Sequence, residues 1–321
     1  MYQQLIDHLK NKRIVLLGMG REGHSTYNFI RRYLPEQKLI IADAKQVELD
    51  NDPNVEFVCG DGYLGAIDRA DIVIKTPGIP LLHFKRPQGV EITCQTDLFL
   101  RYSGFNCVGV TGTKGKTTTS TLIYSMLRAA GKEACLIGNM GYPVFDSLED
   151  CAGETAVIEM SSHQLEFTSR SPHIAVLTNI YPEHLDHYDS FECYVGAKLN
   201  IVRNQGEGDT FIYNADQGLD GFFDLSEYPG EAVGVSVNTP DAEKYRDINP
   251  HLLGEHNIQN CMFAAEAARR CGVSDEDIMR ALKDYEGIEH RMEFFATVKG
   301  IKFVNDCIAT IPHSVMCAVE A

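Results

Sequence analysis

The sequence lacks the features that mark several broad classes of protein. No stretch approaches the roughly 18 uninterrupted apolar residues that a membrane-spanning helix needs, so we expect no membrane span. Residues 1–18 contain no apolar core long enough for a signal peptide, so we expect a cytoplasmic protein. Internal repeats and low-complexity tracts are absent too. With 44% apolar and 23% charged residues, the composition is that of a soluble globular protein.

Paired cysteine motifs are also missing. The ten cysteines are scattered along the chain, and none forms a C-x-x-C pair. Many of them lie in apolar segments, where a thiol behaves as a small hydrophobic side chain. This usage indicates a reduced, cytosolic protein without a disulfide framework.

The chain carries no excess of positive charge. Its formal net charge of −16 argues against nucleic acid as a partner. An anionic nucleotide would therefore have to be held by local basic groups and helix N-termini rather than by the overall field.

A glycine- and lysine-rich loop follows the apolar run Val108–Val110. Its residues are Gly112, Thr113, Lys114, Gly115, Lys116, Thr117 and Thr118. Glycines let backbone N–H groups approach a polyphosphate, and a helix beginning near Gly115 points its positive dipole end at those phosphates. Lys116 can reach the β- and γ-phosphates, and the Thr117 hydroxyl can hold Mg²⁺. The loop predicts ATP binding, although the first glycine of the strict Walker pattern is missing. A threonine-rich helix start without a ligand is the alternative.

A second glycine loop, Gly18-Met19-Gly20-Arg21-Glu22-Gly23, fits G-x-G-x-x-G between a predicted strand and a predicted helix. Asp43 lies twenty residues past Gly23, at the end of the next predicted strand. This pattern is a dinucleotide-binding fingerprint, which brings a diphosphate to a helix N-terminus. The glycines do not distinguish NAD, FAD and a UDP-sugar, and a tight turn without any ligand is the alternative.

Two predicted strand ends carry further candidate ligands. Glu159 ends an apolar strand, and a carboxylate beside an ATP loop is a natural Mg²⁺ ligand. His184 and His187 are spaced i, i+3 after the next strand, which suggests zinc, but no regularly spaced Cys or His pair elsewhere completes such a site. We expect His184 to bind Mg²⁺ or substrate and His187 to be a surface residue.

Two helical segments leave the roles of their polar residues open. Asn257 and Asn260 fall on one face of a predicted helix, where they could cap the helix or bind an adenine edge. Lys198 lies on another predicted helix and, judged from the residues alone, is an ordinary solvated lysine.

Strand and helix patterns alternate along most of the chain, which predicts parallel sheets flanked by helices. The predicted strands cover residues 13–18, 38–42, 55–58, 71–74, 105–110, 134–137, 155–159, 174–178 and 210–213. The predicted helices cover residues 23–34, 92–102, about 116–130, 191–204, 257–271 and 274–285. A hairpin over residues 293–304 follows, then a helix after Pro312. For the 321 residues we expect an α/β fold in three parts: a Rossmann-like domain (1–94), a central P-loop ATPase-type domain (95–291) and the incomplete start of a third domain (292–321).

Eight segments, in this order, resemble the Mur ligases. They are the N-terminal glycine loop, TGTKGKTTT, EMSSHQLE, TNIYPEHLDHY, YVGAKLNI, GEHNIQN, EHRMEF and NDCIAT. The match spans nearly all of the chain, and the SSHQLE segment is similar to the branch of the family that adds D-glutamate.

The resemblance implies an ATP-dependent amide ligase of peptidoglycan precursor synthesis, which we expect to be a monomer. ATP phosphorylates the carboxylate of UDP-MurNAc-L-Ala, and the amine of D-glutamate attacks the acyl phosphate. Lys116 would steady the γ-phosphate. Two Mg²⁺ ions are implied, one at Thr117 and Glu159 and the other at His184 and a Lys198 carbamylated by CO₂.

The resemblance also implies the nucleotide contacts. Asn257 and Asn260 would face the adenine, Arg291 would reach the ATP phosphates, and Asp306 would contact the nucleotide from the third domain. The N-terminal glycine loop would hold UDP, with Asp43 near the uracil. The residues implied to line the rest of the substrate site are Thr76, Pro77, Gly78, Asn139 and His184.

Two departures from the family pattern keep alternatives open. Cys307 and Ile308 stand where family members often carry Ser and Lys, and the sequence ends where a third domain begins. A nucleotide-binding fragment without full ligase activity is therefore one alternative. A dinucleotide-dependent oxidoreductase is another, but it leaves the ATP loop and Glu159 without a role.

Overall fold

The computed structural model describes residues 2–81, 84–138, 142–148, 151, 155–307, 315, 316 and 319. Two parallel sheets flanked by helices form most of this part of the chain, and an antiparallel hairpin follows them. The expected α/β fold class is confirmed. Among the described residues, no helix has the length and apolar character to cross a membrane.

The first sheet is five-stranded and parallel, in the order β3-β2-β1-β4-β5. The chain adds strands on one side of β1 up to β3 and then on the other side from β4. Ligands of open α/β sheets bind at such a switch point, here between β1 and β4. We call this sheet, with α1 and α2, the first unit. Its elements are α1 (Gln3–Leu9), β1 (Ile14–Leu17), α2 (Arg21–Tyr33), β2 (Leu39–Asp43), β3 (Val55–Cys59), β4 (Ile72–Lys75) and β5 (Glu91–Thr93).

Helix α3 (Gln95–Tyr102) leads from the first unit into a six-stranded parallel sheet of order β11-β10-β9-β6-β8-β7. This sheet and its helices form the second unit. Its strands are β6 (Asn106–Thr111), β7 (Ala134–Ile137), β8 (Thr155–Glu159), β9 (Ile174–Leu177), β10 (Thr210–Asn214) and β11 (Glu231–Val235). Its helices are α4 (Lys116–Ala129), α5 (Ser162–Leu165), α6 (Phe191–Arg203), α7 (Glu255–Arg270) and α8 (Asp275–Lys283).

The antiparallel hairpin of β12 (Glu293–Val298) and β13 (Ile301–Asn305) matches the strand pair predicted around Lys299-Gly300. The predicted helix after Pro312 lies largely outside the described residues. The predicted helix over 92–102 is wrong at its start, because Glu91–Thr93 pairs with β4 as a strand. Strand β11 and helices α1 and α5 were not predicted.

One apolar cluster joins the two units. It contains Leu16 and Ile41 of the first sheet together with Ile158 and Ala175 of the second. Within the same cluster, the ring centroid of Phe29 on α2 lies 4.7 Å from the ring centroid of Phe145. The two units therefore share part of their buried core.

Cys135 on β7 and Cys151 form a disulfide, with their Cα atoms 5.4 Å apart. The expectation of reduced cysteines without disulfides is wrong for this pair. Their separation of 16 residues carries no recognisable motif, and only the fold brings them together. The remaining cysteines of the described residues are free thiols: Cys59, Cys94, Cys107, Cys193, Cys261, Cys271 and Cys307.

Candidate active site

The ATP loop, residues 112–118, runs from the end of β6 into α4. Gly115 has a φ of +85° and precedes Lys116, the first helical residue. A Cβ at Gly115 would come within 2.4 Å of the Asn260 Oδ1 atom on α7. Glycine suits this position because it tolerates the left-handed conformation and leaves room for α7. The first N–H groups of α4 follow this glycine directly, and such groups have no partner within their own helix.

Residues after β9 hold the ATP loop in shape. The Thr178 Oγ1 atom donates to Lys114 O at 2.6 Å, and Lys114 N donates to Asn179 Oδ1 at 2.8 Å. The Lys114 Nζ atom is paired with Glu183 Oε1 at 2.8 Å. The only sequence signal for this bracing is a Thr-Asn pair directly after a buried strand.

The side chains of the loop's threonines differ in their surroundings. The Thr113 Oγ1 atom lies 2.9 Å from the Tyr194 hydroxyl and accepts a hydrogen bond from Tyr181 N at 2.8 Å. Thr117 is buried, whereas Thr118 is half-buried in the first turn of α4. Thr113 is thus held by the protein itself.

Two lysines converge on one backbone carbonyl. The Nζ atoms of Lys116 and Lys198 donate to Gly112 O at 3.1 and 2.8 Å. Burial lowers the pKa of Lys198 well below its usual range, and the charge of Lys116 lowers it further. Burial lowers the pKa of Lys116 too, with Glu159 among the groups that oppose the shift. The residues alone gave Lys198 no role because they do not reveal that its side chain is only 2% exposed.

Glu159 ends β8, the strand beside β6. Its Oε2 atom is buried and has no hydrogen-bond partner among the described residues. Burying an unpaired carboxylate oxygen is costly unless a donor or a cation reaches it, and oxygen is what Mg²⁺ prefers. Within the described ranges, no group of three or more His, Cys, Asp or Glu side chains could hold a metal ion. A cation here would need hydroxyl or ligand oxygens in addition to Glu159.

Arg291 reaches the ATP loop from the chain that leads into the hairpin. Its Nη2 atom donates to Thr117 Oγ1 at 3.0 Å, while its Nε atom is buried without a partner in the described part of the chain. Asp306 accepts a hydrogen bond from Met292 N at 3.2 Å. Arg291 therefore reaches the start of α4, and Asp306 holds the backbone of the neighbouring Met292.

Asn257 and Asn260 form a short chain of hydrogen bonds beside the ATP loop. The Asn260 Nδ2 atom donates to Asn257 Oδ1 at 3.2 Å, and Thr119 Oγ1 donates to Asn260 Oδ1 at 3.3 Å. The N-cap residue of α7 is Gly254, which has no side chain to cap the helix, and the Asn257 Nδ2 atom donates to Leu253 O just before it at 2.9 Å. Both alternatives for the two asparagines, capping and adenine binding, stay predictions.

Three histidines cluster near the two lysines. The His163 ring centroid lies 4.8 Å from that of His184 and 4.2 Å from that of His187, both edge-on. His187 is 8% exposed, and its Nε2 atom lies 3.3 Å from Glu166 Oε2. The expectation of a surface position for His187 is wrong, because its ring packs against His163 and Glu166.

His184 has an uncommon backbone conformation. Its φ is +58°, a left-handed value that residues with side chains seldom adopt, and such strain tends to occur at functional sites. Its side chain is 46% exposed. Burial is the main cause that lowers the pKa of His184, with Glu183 opposing. His184 is thus available to a ligand as a neutral imidazole.

The N-terminal glycine loop lies at the switch point of the first sheet. A Cβ at Gly18 would come 2.2 Å from Thr76 Oγ1, and a Cβ at Gly23 would come 2.1 Å from Gly18 O. These are the tight turn and the close helix–strand packing that the fingerprint requires. Gly20, Arg21 and Gly78 are exposed at this end of the sheet.

The acidic residues of the first unit make protein contacts. The Asp43 Oδ2 atom accepts a hydrogen bond from Met19 N at 2.8 Å, so Asp43 braces the glycine loop. The Glu22 Oε1 atom accepts one from Gln164 Nε2 of the second unit at 3.0 Å. Asn139 lies outside the described residues, and its neighbour Gly138 packs against the backbone oxygen of Glu159.

A glycine loop at the switch point of one parallel sheet and a lysine-bearing loop after β6 of a second sheet define a nucleotide-binding α/β protein. The family model described as Mur ligase middle domain matches residues 110–223. Solved structures with a similar fold include MurF from Acinetobacter baumannii, at 18% identity and a TM-score of 0.60, covering 98% of this chain and 69% of that one. Another is MurC from Thermotoga maritima, at 18% identity and a TM-score of 0.55, covering 97% of this chain and 77% of that one.

Curated relatives extend over the whole chain. The UDP-N-acetylmuramoylalanine–D-glutamate ligase of Clostridium acetobutylicum is 31% identical, over 100% of this chain and 75% of the relative. The enzyme of the same name from Acetivibrio thermocellus is 32% identical, over 98% of this chain and 73% of the relative. The chain belongs to the Mur ligase family.

Proposed function

We propose that this protein is an ATP-dependent ligase that joins D-glutamate to UDP-MurNAc-L-Ala in peptidoglycan precursor synthesis. The observation that carries the proposal is the similarity, over the whole chain, to relatives named for this reaction. The γ-phosphoryl group of ATP passes to the carboxylate of UDP-MurNAc-L-Ala, which leaves ADP. The D-glutamate amine then attacks the acyl carbon, the C–N bond forms, and phosphate leaves.

We assign the ATP site to the ATP loop and its neighbours. The backbone N–H groups of Gly115 to Thr118 would receive the phosphates at the start of α4, and Lys116 would neutralise the γ-phosphate. Arg291, which contacts Thr117, would reach the same phosphates, and Asp306 would contact the nucleotide. Asn257 and Asn260 would face the adenine. The contacts of Lys116, Arg291 and Asn260 with this loop support the assignment.

The residues present fit a divalent cation. Glu159 offers a buried carboxylate oxygen without a partner in the described residues, and Thr117 offers a hydroxyl. We assign a first Mg²⁺ to these two side chains, and a second to His184 and a carbamylated Lys198. Bound Mg²⁺ neutralises phosphate charge during the transfer. Without the modification, the Nζ atoms of Lys116 and Lys198 both donate to Gly112 O, directly after β6.

The chemistry of a buried amine supports the proposed carbamylation of Lys198. Because burial depresses its pKa, the amine is available in its neutral form, which can attack the carbon of CO₂. A C–N bond forms and the amine releases a proton to solvent, so a side chain that would repel Mg²⁺ becomes an anionic oxygen ligand. The intact mass in bicarbonate buffer should rise by one CO₂, and the rise should be absent in Lys198→Met.

We assign the UDP part of the substrate to the N-terminal glycine loop. The diphosphate would approach the start of α2 through Gly18, Gly20 and Gly23. Residues assigned to the remainder of this site are Arg21, Glu22, Asp43, Thr76, Gly78, Asn139 and His184. We further propose a cytoplasmic monomer with a substrate domain over 1–94, a central ATP domain over 95–291 and the start of a third domain over 292–321.

Calorimetric titration with UDP-MurNAc-L-Ala, followed by coupled ADP release with Mg-ATP and D-glutamate, tests the proposal. We expect substrate binding and D-glutamate-dependent ADP release, with release lost in Glu159→Gln. Glu56→Gln, on the exposed surface of the first unit, is the control. Binding of the UDP substrate without turnover would make the chain a nucleotide-binding protein only. Stabilisation by NAD without any effect of the UDP substrate would favour an oxidoreductase.

A further inference from the structure

Glu22 belongs to the N-terminal glycine loop, yet its side chain is engaged by the second unit. The Gln164 Nε2 atom donates to the side-chain oxygen Oε1 of Glu22 at 3.0 Å. The Gln95 Nε2 atom on α3 donates to the backbone oxygen of Glu22, also at 3.0 Å. Burial raises the pKa of Glu22 above its usual range, and the hydrogen bond from Gln164 is the largest opposing cause. A carboxylate turned toward the start of α2 would repel a diphosphate, whereas this contact directs it toward the second unit.

Lys75 makes a second contact between the two units. It ends β4, immediately before Thr76, and is only 2% exposed. Its Nζ atom lies 3.5 Å from Glu166 Oε2 and 5.2 Å from the centroid of the Phe167 ring. A buried ion pair contributes little net stability compared with apolar packing, so its value often lies in fixing one geometry.

Both partners in the second unit lie on one short stretch of chain. Gln164 is fixed by a capping box: its backbone N donates to Ser161 Oγ at 3.2 Å, and Ser161 N donates to Gln164 Oε1 at 2.9 Å. Glu166 also contacts His187 in the histidine cluster. Two residues before Ser161 lies Glu159, whose Oε2 atom at the end of β8 has no hydrogen-bond partner among the described residues. This stretch therefore connects the N-terminal glycine loop and the end of β4 with the end of β8.

We propose that Glu22 and Lys75 are positioning residues. With Gln164 and Glu166 they form a polar clasp through which occupancy of the UDP-substrate site alters the affinity of the ATP site. The inference rests on the proposed function of the two sites. The binding of one ligand at the glycine loop fixes Gln164 and Glu166, and with them the backbone that carries Glu159. By linkage, a nucleotide at the ATP loop raises the affinity for the UDP substrate by the same factor.

The test is a calorimetric measurement of this coupling. The dissociation constants of UDP-MurNAc-L-Ala and of a non-hydrolysable ATP analogue with Mg²⁺ are each measured with and without the other ligand. In the wild type we expect each ligand to tighten the other by about fivefold or more. In Glu22→Ala and Lys75→Met the coupling factor should fall to one, and Lys75→Met should bind each ligand alone as the wild type does.

Two further variants separate positioning from general damage. Glu22→Gln keeps an oxygen acceptor for Gln164 and should restore coupling. Glu56→Gln removes an ion pair that lies entirely within the first unit and should leave coupling unchanged. Thermal unfolding confirms that each variant is folded before it is titrated.

Three results would overturn the inference. One is a wild type that binds both ligands independently. Another is coupling that persists in both Glu22→Ala and Lys75→Met. The third is a Glu22→Ala variant that loses affinity for the UDP substrate alone but stays coupled, which would make Glu22 a ligand contact. If the wild type does not bind the UDP substrate at all, the proposed function itself fails, and this outcome is seen before any variant is measured.

Discussion

Helix α4 is flanked by two glycines that have the same backbone conformation but different surroundings. Gly115 precedes the helix with a φ of +85°, and Gly131 follows it with a φ of +71°. A Cβ at Gly115 would come 2.4 Å from Asn260 Oδ1, whereas no atom of the described residues lies within 4 Å of a Cβ at Gly131. Substituting alanine at each position therefore separates the cost of the left-handed backbone from the cost of the contact with α7.

The expected magnitudes differ accordingly. Left-handed backbone costs a residue with a Cβ roughly 1–2 kcal/mol, and the loss of unfolded-state freedom returns part of this. We expect Gly131→Ala to lower the free energy of unfolding by about 1 kcal/mol. Gly115→Ala adds overpacking against a side chain held by Thr119 and Asn257, so its total cost should reach about 2–4 kcal/mol.

Urea unfolding of the two variants, of Asn260→Ala and of the double variant Gly115→Ala/Asn260→Ala measures these terms. Asn260→Ala removes the contact, so the double variant should cost about 1–2 kcal/mol less than the sum of the single variants. Calorimetric titration should show weaker nucleotide binding for Gly115→Ala and unchanged binding for Gly131→Ala. Equal costs for the two glycine substitutions, or additive costs in the cycle, would refute the argument.

Three further predictions concern stability. Because burial holds the pKa of Lys198 below the unfolded value of 10.5, the unfolded state binds more protons between these two pKa values. The free energy of unfolding should thus rise with pH across that window, by about 1.4 kcal/mol per pH unit at most for this one group. Urea unfolding in CO₂-free buffer at several pH values should show a flatter rise for Lys198→Met. Cys151→Ser removes the disulfide that closes a loop of 16 residues, and it should lower the free energy of unfolding by about 3 kcal/mol in the same assay. Cys193→Ser, at an exposed free thiol, is the control and should leave this free energy unchanged. Ser161→Ala and Ser274→Ala each remove a helix cap, and each should lower the free energy of unfolding by about 1 kcal/mol. Calorimetric titration should show weaker coupling between the two ligands only for Ser161→Ala, because only this cap fixes Gln164.

Sequence patterns were sufficient for the central strands and insufficient at the sheet edges. Strands β7 and β8 have the predicted bounds, because uninterrupted apolar runs describe strands that are buried on both faces. Edge strand β11 escaped prediction because Gly234 interrupts its short apolar run and only Val235 of Glu231–Val235 is buried. Strand β5 has only three residues and merges with the helical pattern that follows it.

The candidate site divides in the same way. The ATP loop and the end of β8 could be predicted because their chemistry is local in sequence. The burial of His187 and Lys198 depends on packing by distant elements. The contact between Glu22 and Gln164 joins residues 142 positions apart, and no local spacing encodes it. Such long-range contacts become visible only when both sheets are assembled.

The apolar cluster shared by the two sheets determines how the protein can be divided. Cleavage of the chain near Cys94 would leave Phe29 on one piece and Phe145 on the other, and each would lose the aromatic surface that covers it. Exposed aromatic surface of this kind favours aggregation. The two halves should consequently melt in a single calorimetric transition. Neither nucleotide site could then be transplanted into another protein by excising its half alone.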